Sequence, residues 1–263
     1  MFRLISLSIY IFKFKNQRLF LKKITFFIIQ DLKYITYISE LLPFLLCSIF
    51  LKRIVTKGKK VFFLYTIVIA ILVIVGFSLL YIYNSRENYI LVVRVYNVIE
   101  YTLLAYFFSL YLKNKYISRI LIFSSIGFLI FCISSFINTK TPEMPFVPAS
   151  VEHILLLIFI IYYLFEVMQE TVLEPIYQKA IFWISVAFII NSAGNFFLFL
   201  YSQNSYKDEI FQKQYIIIYA TVTVIKNVLL CISILIKEKK DTPPPDNLFD
   251  FDLDALNPNE NKP

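Results

Sequence analysis

Charge is scarce in this chain: Asp, Glu, Lys and Arg make up 17% of its 263 residues, where soluble domains average about 25%. Histidine occurs once, at His153, and tryptophan once, at Trp183. A lone histidine excludes a multi-histidine metal site and leaves a Ser-His-Asp triad only one candidate base. Glu152 beside it would need a further metal ligand at matching spacing, and none follows. No GxSxG, HExxH or paired catalytic aspartate motif is present. The expectation is a protein that is not an enzyme and carries no metal and no cofactor. The three cysteines, Cys47, Cys132 and Cys231, are odd in number, widely spaced and set in apolar runs. They read as small packing residues rather than a disulfide framework.

What fills the chain instead is apolar. Hydrophobic residues make up 59% of it, including 28 Phe and 19 Tyr, and the mean hydropathy is +0.69. Seven long runs stand out, near 34–51, 61–83, 89–112, 117–137, 148–168, 180–201 and 214–236. Crossing a hydrocarbon core takes about 20 apolar residues in helical form, because a helix satisfies its own backbone where water is absent. The expected fold is all-α, a polytopic bundle of seven transmembrane helices over 34–238, with lipid as the main partner. Thr56-Lys57-Gly58-Lys59, Asn84-Ser85-Arg86 and the proline-rich 141–148 punctuate the runs.

The formal charge of +8 is concentrated at the ends of these runs, where it sets topology and meets lipid headgroups rather than nucleic acid. One set of connections holds twelve Lys and Arg: Lys52, Arg53, Lys57, Lys59 and Lys60, then Lys113, Lys115 and Arg119, then Lys179, then Lys237, Lys239 and Lys240. The alternate set holds four: Arg86, Lys140, Lys207 and Lys213. That bias places the C-terminus in the cytosol of a cell (inner) membrane, multi-pass protein. The connection 166–179 is its weakest element, with one Lys against Glu166, Glu170 and Glu174.

The termini differ from the bundle. Residues 1–33 carry seven basic residues against Asp31. Three accounts stand open: a cationic interfacial helix, an extra element that alters topology, or a start assigned too far upstream. The segment 239–263 is acidic and proline-rich, the composition of a disordered cytosolic tail. Within 246–256, Leu248-Phe249-Asp250-Phe251-Asp252-Leu253-Asp254 alternates acidic and apolar residues, a pattern that can order on a cytosolic protein partner.

Ionisable residues in the middle of a membrane helix are functional candidates, since each costs roughly 2.5–3.5 kcal/mol to insert. Glu100 in the third run and Lys226 in the seventh lie at equal depth, roughly 16–18 Å from the same surface at 1.5 Å per residue. An intramembrane ion pair is expected if those helices are neighbours. Arg94, Asn97, Glu100 and Tyr101 recur at spacings of three and four and are expected on one face of the third helix. Tyr219, Thr223, Lys226 and Asn227 do the same on the seventh. Asn191 and Asn195 form a polar patch with Ser192 beside Gly194. Glu40, Glu152 and His153 fall nearer the outer surface, at the expected mouth of a polar cavity. For Asn97, Asn191 and Asn195 interhelical hydrogen bonding is the plainer reading.

The run Asn97-Val98-Ile99-Glu100-Tyr101 through Tyr106-Phe107-Phe108, with Ser192-Ala193-Gly194-Asn195 and Ile225-Lys226-Asn227, resembles a group of bacterial seven-helix membrane proteins of no known activity. The resemblance spans most of 34–238 and implies the helix count and the interest of those polar positions. Three functions stay open. The first is a receptor or sensor with an outward-opening cavity for a small ligand, and cytosolic loops and a tail that contact a partner. The second is a proton- or solute-coupled transporter using the Glu100–Lys226 pair, although no internal repeat supports it. The third is a retinal protein, with Lys226 as the Schiff-base lysine and Glu100 as counterion. The residues around Lys226 and the position of Trp183 depart from the rhodopsin pattern.

Overall fold

A computed structural model describes residues 30–54, 56–138, 144–169, 175–206 and 208–236. The basic segment up to residue 29 and the acidic tail lie outside the described residues. Seven helices are long and apolar enough to cross a membrane: α1 (Gln30–Ile49), α2 (Lys57–Ile82), α3 (Arg86–Ser109), α4 (Lys115–Asn138), α5 (Phe146–Met168), α6 (Ala180–Ser205) and α7 (Glu209–Leu235). No strand occurs among the described residues. The apolar runs therefore set the number of helices, while most helices start before them, by up to five residues, and α1, α2, α3 and α7 end one to three residues short of them.

The ends are extended by caps rather than by more apolar sequence. The Thr56 hydroxyl accepts from the Lys59 amide at 3.3 Å to open α2, and the Asp208 carboxylate accepts from the Ile210 amide at 3.0 Å to open α7. At α4 the Asn114 side chain accepts from the Tyr116 amide at 2.9 Å. Two amides just before that helix, Lys113 and Asn114, donate to the Glu166 carboxylate on α5 at 2.8 and 2.9 Å. Each cap satisfies amides that a helix start leaves without an intrahelical acceptor. The last turn of α2 widens into a π-helical turn over Ser78–Ile82, with the Tyr83 amide donating to the Ser78 carbonyl at 3.1 Å. Asn84 then takes a left-handed conformation (φ 50°), which its short polar side chain tolerates.

The helices form a closed bundle. Backbones pack closely between α2 and α3, α3 and α4, α4 and α5, α5 and α6, and α6 and α7. Helix α3 runs further inside and also packs on α5. The ring closes at α1, where the Tyr37 ring meets Phe77 of α2 edge-on with centroids 5.3 Å apart. On its other side, Asn227 of α7 donates to the Ser39 hydroxyl at 3.0 Å. At Gly194 a Cβ would stand 2.8 Å from a Val222 methyl, so the missing side chain is what lets α6 and α7 approach.

Large apolar side chains point outward throughout. On α4, Phe123, Ile126, Ile130, Ile133 and Ile137 are exposed, and only Leu121, Phe128 and Cys132 of that helix are buried. Half of the most apolar stretch of α6 is buried, against 17% of that of α4. Such a surface would drive aggregation in water and suits hydrocarbon. The chain is a multi-pass membrane protein.

Candidate functional site

A cavity of about 490 Å³ occupies one half of the bundle thickness. It is bordered by the first turns of α1, the end of α2, the first half of α3, the start of α5, the end of α6 and most of α7. Helix α4 contributes nothing. Its rim carries Lys33, Arg86 and Gln212, so it opens at the end of the bundle poor in basic connections.

The floor is ionic. Lys226 Nζ lies 3.9 Å from Glu100 Oε1, and both side chains are about 95% buried, at 4% and 5% exposure. Helices α3 and α7 thus meet through long side chains across the interior. The same Glu100 oxygen accepts from the Tyr65 hydroxyl of α2 at 2.9 Å, which ties the carboxylate to a third helix. Tyr65 in turn meets the Phe188 ring of α6 edge-on at 5.8 Å. Below this level Phe62, Phe107, Phe108 and Leu230 belong to a continuous buried core.

Other polar residues converge on the cavity from α3, α5, α6 and α7. Asn97, Asn191, Asn195, Tyr219 and Thr223 all line it. The Asn195 amide donates to the Asn191 carbonyl oxygen at 3.0 Å, so these two bond within α6 rather than between helices. Glu40 lines the wall from α1. Glu152 and His153, expected at the solvated mouth, are instead buried at 1% and 5% exposure. The His153 ring stacks on Phe199 at 5.3 Å with the rings 9° from parallel. Four buried polar atoms of the lining have no hydrogen-bond partner: Asn97 Nδ2, Glu152 Oε1, His153 Nδ1 and Asn195 Oδ1. Buried polar atoms are normally paired, and these four stand unpaired around one hollow. The hydroxyls of Ser185 and Ser202 are already committed to their own helix carbonyls at 2.8 and 2.6 Å.

Three residues expected in the lining lie elsewhere. Arg94 stacks over the Phe136 ring of α4 at 4.9 Å. Tyr101 bonds Ser124 of α4 at 2.7 Å. Because Ser124 spends its proton on the Leu121 carbonyl at 2.6 Å, Tyr101 is the donor. Asn227 serves the α1 contact described above. Spacings of three and four cover a wide arc: at 3.6 residues per turn Arg94 and Tyr101 lie about 100–120° around α3 from Glu100. That rotation carries them past the cavity to α4.

Aromatic residues supply most of the remaining wall, and polarity alone did not single them out. Tyr37, Tyr81, Tyr89 and Tyr96 stand on the α1–α3 side. On the α5–α7 side Phe146 meets Tyr206 at 4.9 Å, and Tyr215 stacks on Tyr219 at 5.9 Å with rings 5° from parallel. In a chain with 19 tyrosines, residue type gives no cue to which ones face inward.

A second, apolar cavity of about 240 Å³ lies toward the opposite end, lined by Cys47, Phe62, Phe107, Ile184 and Ser233 among others. On α1, α3, α6 and α7 it begins seven residues beyond Glu40, Glu100, Asn191 and Lys226, about 10 Å at 1.5 Å per residue. Tyr65, Leu104, Phe188 and Leu230, each at most 2% exposed, fill the layer between. Among the described residues no group of three or more His, Cys, Asp or Glu could hold a metal ion. Comparisons with protein-family models, curated proteins and solved structures found no match, so the functional reading rests on the cavity's own chemistry.

Proposed function

We propose that this chain is a receptor or sensor of the cell membrane, binding a small ligand in a cavity that opens outward. The observation that carries the reading is the hollow itself: about 490 Å³, bordered by six of the seven helices, with buried polar atoms left unpaired. Ligand pockets are typically concave, mostly apolar and supplied with a few convergent polar groups. The packed layer at Tyr65, Leu104 and Phe188 supports entry and exit from one side. Outward opening follows from the twelve-to-four distribution of Lys and Arg in the connections, which assigns the basic end to the cytosol. In this reading the basic loops and the segment 246–256 contact a cytosolic protein.

One observation favours the second reading, a transporter. Two cavities on opposite sides of a thin barrier, with a Glu–Lys pair at its edge, are what alternating access to a buried site requires.

The test is to purify the protein in mild detergent and identify small molecules retained by it and lost from Ala220→Trp. Ala220 lines the cavity and is 1% exposed, so an indole there fills it. The receptor reading expects a retained molecule that proteoliposomes bind but do not accumulate. Accumulation down or against a gradient gives the transporter. Equal retention by the filled variant removes the cavity from either account. Orientation is tested by an impermeant maleimide on whole cells, which should label Tyr83→Cys at the cavity end and spare Tyr116→Cys at the other. Both positions are exposed, at 72% and 69%.

A further inference from the structure

The deep part of the cavity carries more carboxylate than ammonium. Glu40 of α1, Glu100 of α3 and Glu152 of α5 all line it, and among the described lining residues Lys226 is the one buried cationic side chain. Glu40 and Glu152 each lie within electrostatic range of both Glu100 and Lys226. Glu100 is already answered, by Lys226 at 3.9 Å and by the Tyr65 hydroxyl at 2.9 Å. Glu152 is not: it is 1% exposed and its Oε1 has no partner. The other cationic lining residues, Lys33 and Arg86, are exposed at the rim, where water and lipid phosphates screen them.

Three further atoms of the lining are unpaired. Asn195 Oδ1, 2% exposed, is a second acceptor without a donor, and His153 Nδ1 beside Glu152 is unpaired. Asn97 Nδ2 is the unpaired donor among the lining residues described. An unpaired carboxylate oxygen and an unpaired amide oxygen lining one cavity call for a group that only donates, and an ammonium is such a group. Among the described residues the carboxylates form no group of three or more that could hold a metal ion. Around them stand Tyr96, Phe199, Tyr215 and Tyr219, whose ring faces attract cations and whose edges pack on apolar carbon. Volume, orphan acceptors and aromatic walls agree.

We propose that the ligand is a small organic cation, a protonated amine on an apolar or aromatic body, with its ammonium seated at the Glu152 carboxylate. This rests on the small-ligand reading of the cavity and adds the class of ligand. The excess carboxylate is then neutralised by the ligand, and the ring-lined upper part holds the ligand's apolar portion. An anion would meet Glu152 and Glu40 in a medium of low dielectric, where like charges repel strongly.

The test uses the full chain in detergent micelles and three probes of matched size: 2-phenylethylammonium, 2-phenylethanol and phenylacetate. Each is titrated while thermal unfolding is followed. The amine is expected to raise Tm in a saturable way, with the alcohol and the acid giving no comparable rise. Glu152→Gln is expected to raise the half-saturating amine concentration at least tenfold while the variant remains folded, since it replaces a buried charge with a neutral amide of the same shape. The wild-type series alone decides the matter if that variant does not fold. A larger rise with the acid or the alcohol overturns the cation assignment and leaves the small-ligand reading standing. No rise with any probe overturns the assignment as well. Failure of the small-ligand reading shows separately, as equal retention of molecules by Ala220→Trp.

Discussion

Glu100 on α3 is shared by two helices at once: its Oε1 accepts from Tyr65 of α2 at 2.9 Å and faces Lys226 of α7 at 3.9 Å. In a membrane interior such a junction has two consequences. It fixes the positions of three helices with polar contacts that lipid cannot replace, and it places a neutralised charge pair at the floor of a cavity. Tyr65→Phe keeps the ring and its contact with Phe188 but removes one bond to a charged group.

The pair predicts strong non-additivity. Glu100→Gln alone leaves Lys226 buried and unpaired, and is expected to cost about 3–5 kcal/mol, the range for breaking a buried pair from one side. The double change with Lys226→Met is expected to cost less than the sum of the singles. A double-mutant cycle followed by unfolding in mixed micelles measures this, and additive losses would end the pairing account.

Close packing of α6 on α7 depends on a missing side chain. Gly194→Ala puts a Cβ 2.8 Å from a Val222 methyl and is expected to destabilise by about 1–3 kcal/mol, as overpacking does. Val222→Ala in the same chain should recover most of that loss. If the second change adds a further loss, the two residues do not limit the approach.

At the opposite end Glu166 holds the α3–α4 connection by two backbone amides at 2.8 and 2.9 Å. Glu166→Ala is expected to cost about 0.5–2 kcal/mol, as for loss of a helix cap. Amide exchange at Lys113 and Asn114 should speed up while exchange in the middle of α3 stays slow. Unchanged exchange at those two amides would show that the carboxylate does not hold the turn.

Lys226 should not form a chromophore. The lone tryptophan stands near the far end of α6 from the cavity, donating to the Tyr177 carbonyl at 2.8 Å, and cannot flank a chromophore at Lys226. All-trans retinal added to purified protein is expected to give no visible absorbance band. A band abolished by Lys226→Ala would overturn this expectation and support the retinal reading.

Which of these features were legible in the chain depends on how ambiguous each residue type is. Seven apolar runs admit one interpretation, because backbone in lipid must bond internally and only a helix of that length does so within one segment. Glu100 and Lys226 were visible because charge inside an apolar run is costly and rare. The same logic placed Arg94, Tyr101 and Asn227 in the cavity, and it failed there. A polar residue on a helix can face a cavity or a neighbouring helix, and a hundred degrees of rotation separates the two. Tyr65, Tyr96 and Phe199 gave no signal, since aromatic residues are at home in lipid, core and cavity wall alike.

The order of residues thus settled the solvent, the count of crossings and the depth of the two buried charges, all of which follow from transfer energies along one dimension. Which side chains share a hollow was decided only when seven helices took up their rotations and neighbours. That choice turns on packing across the bundle, at Gly194 against Val222, at Tyr65 against Glu100 and at Asn227 against Ser39. Those contacts join residues from 28 to 188 positions apart in the chain, and local patterning has no term that couples them.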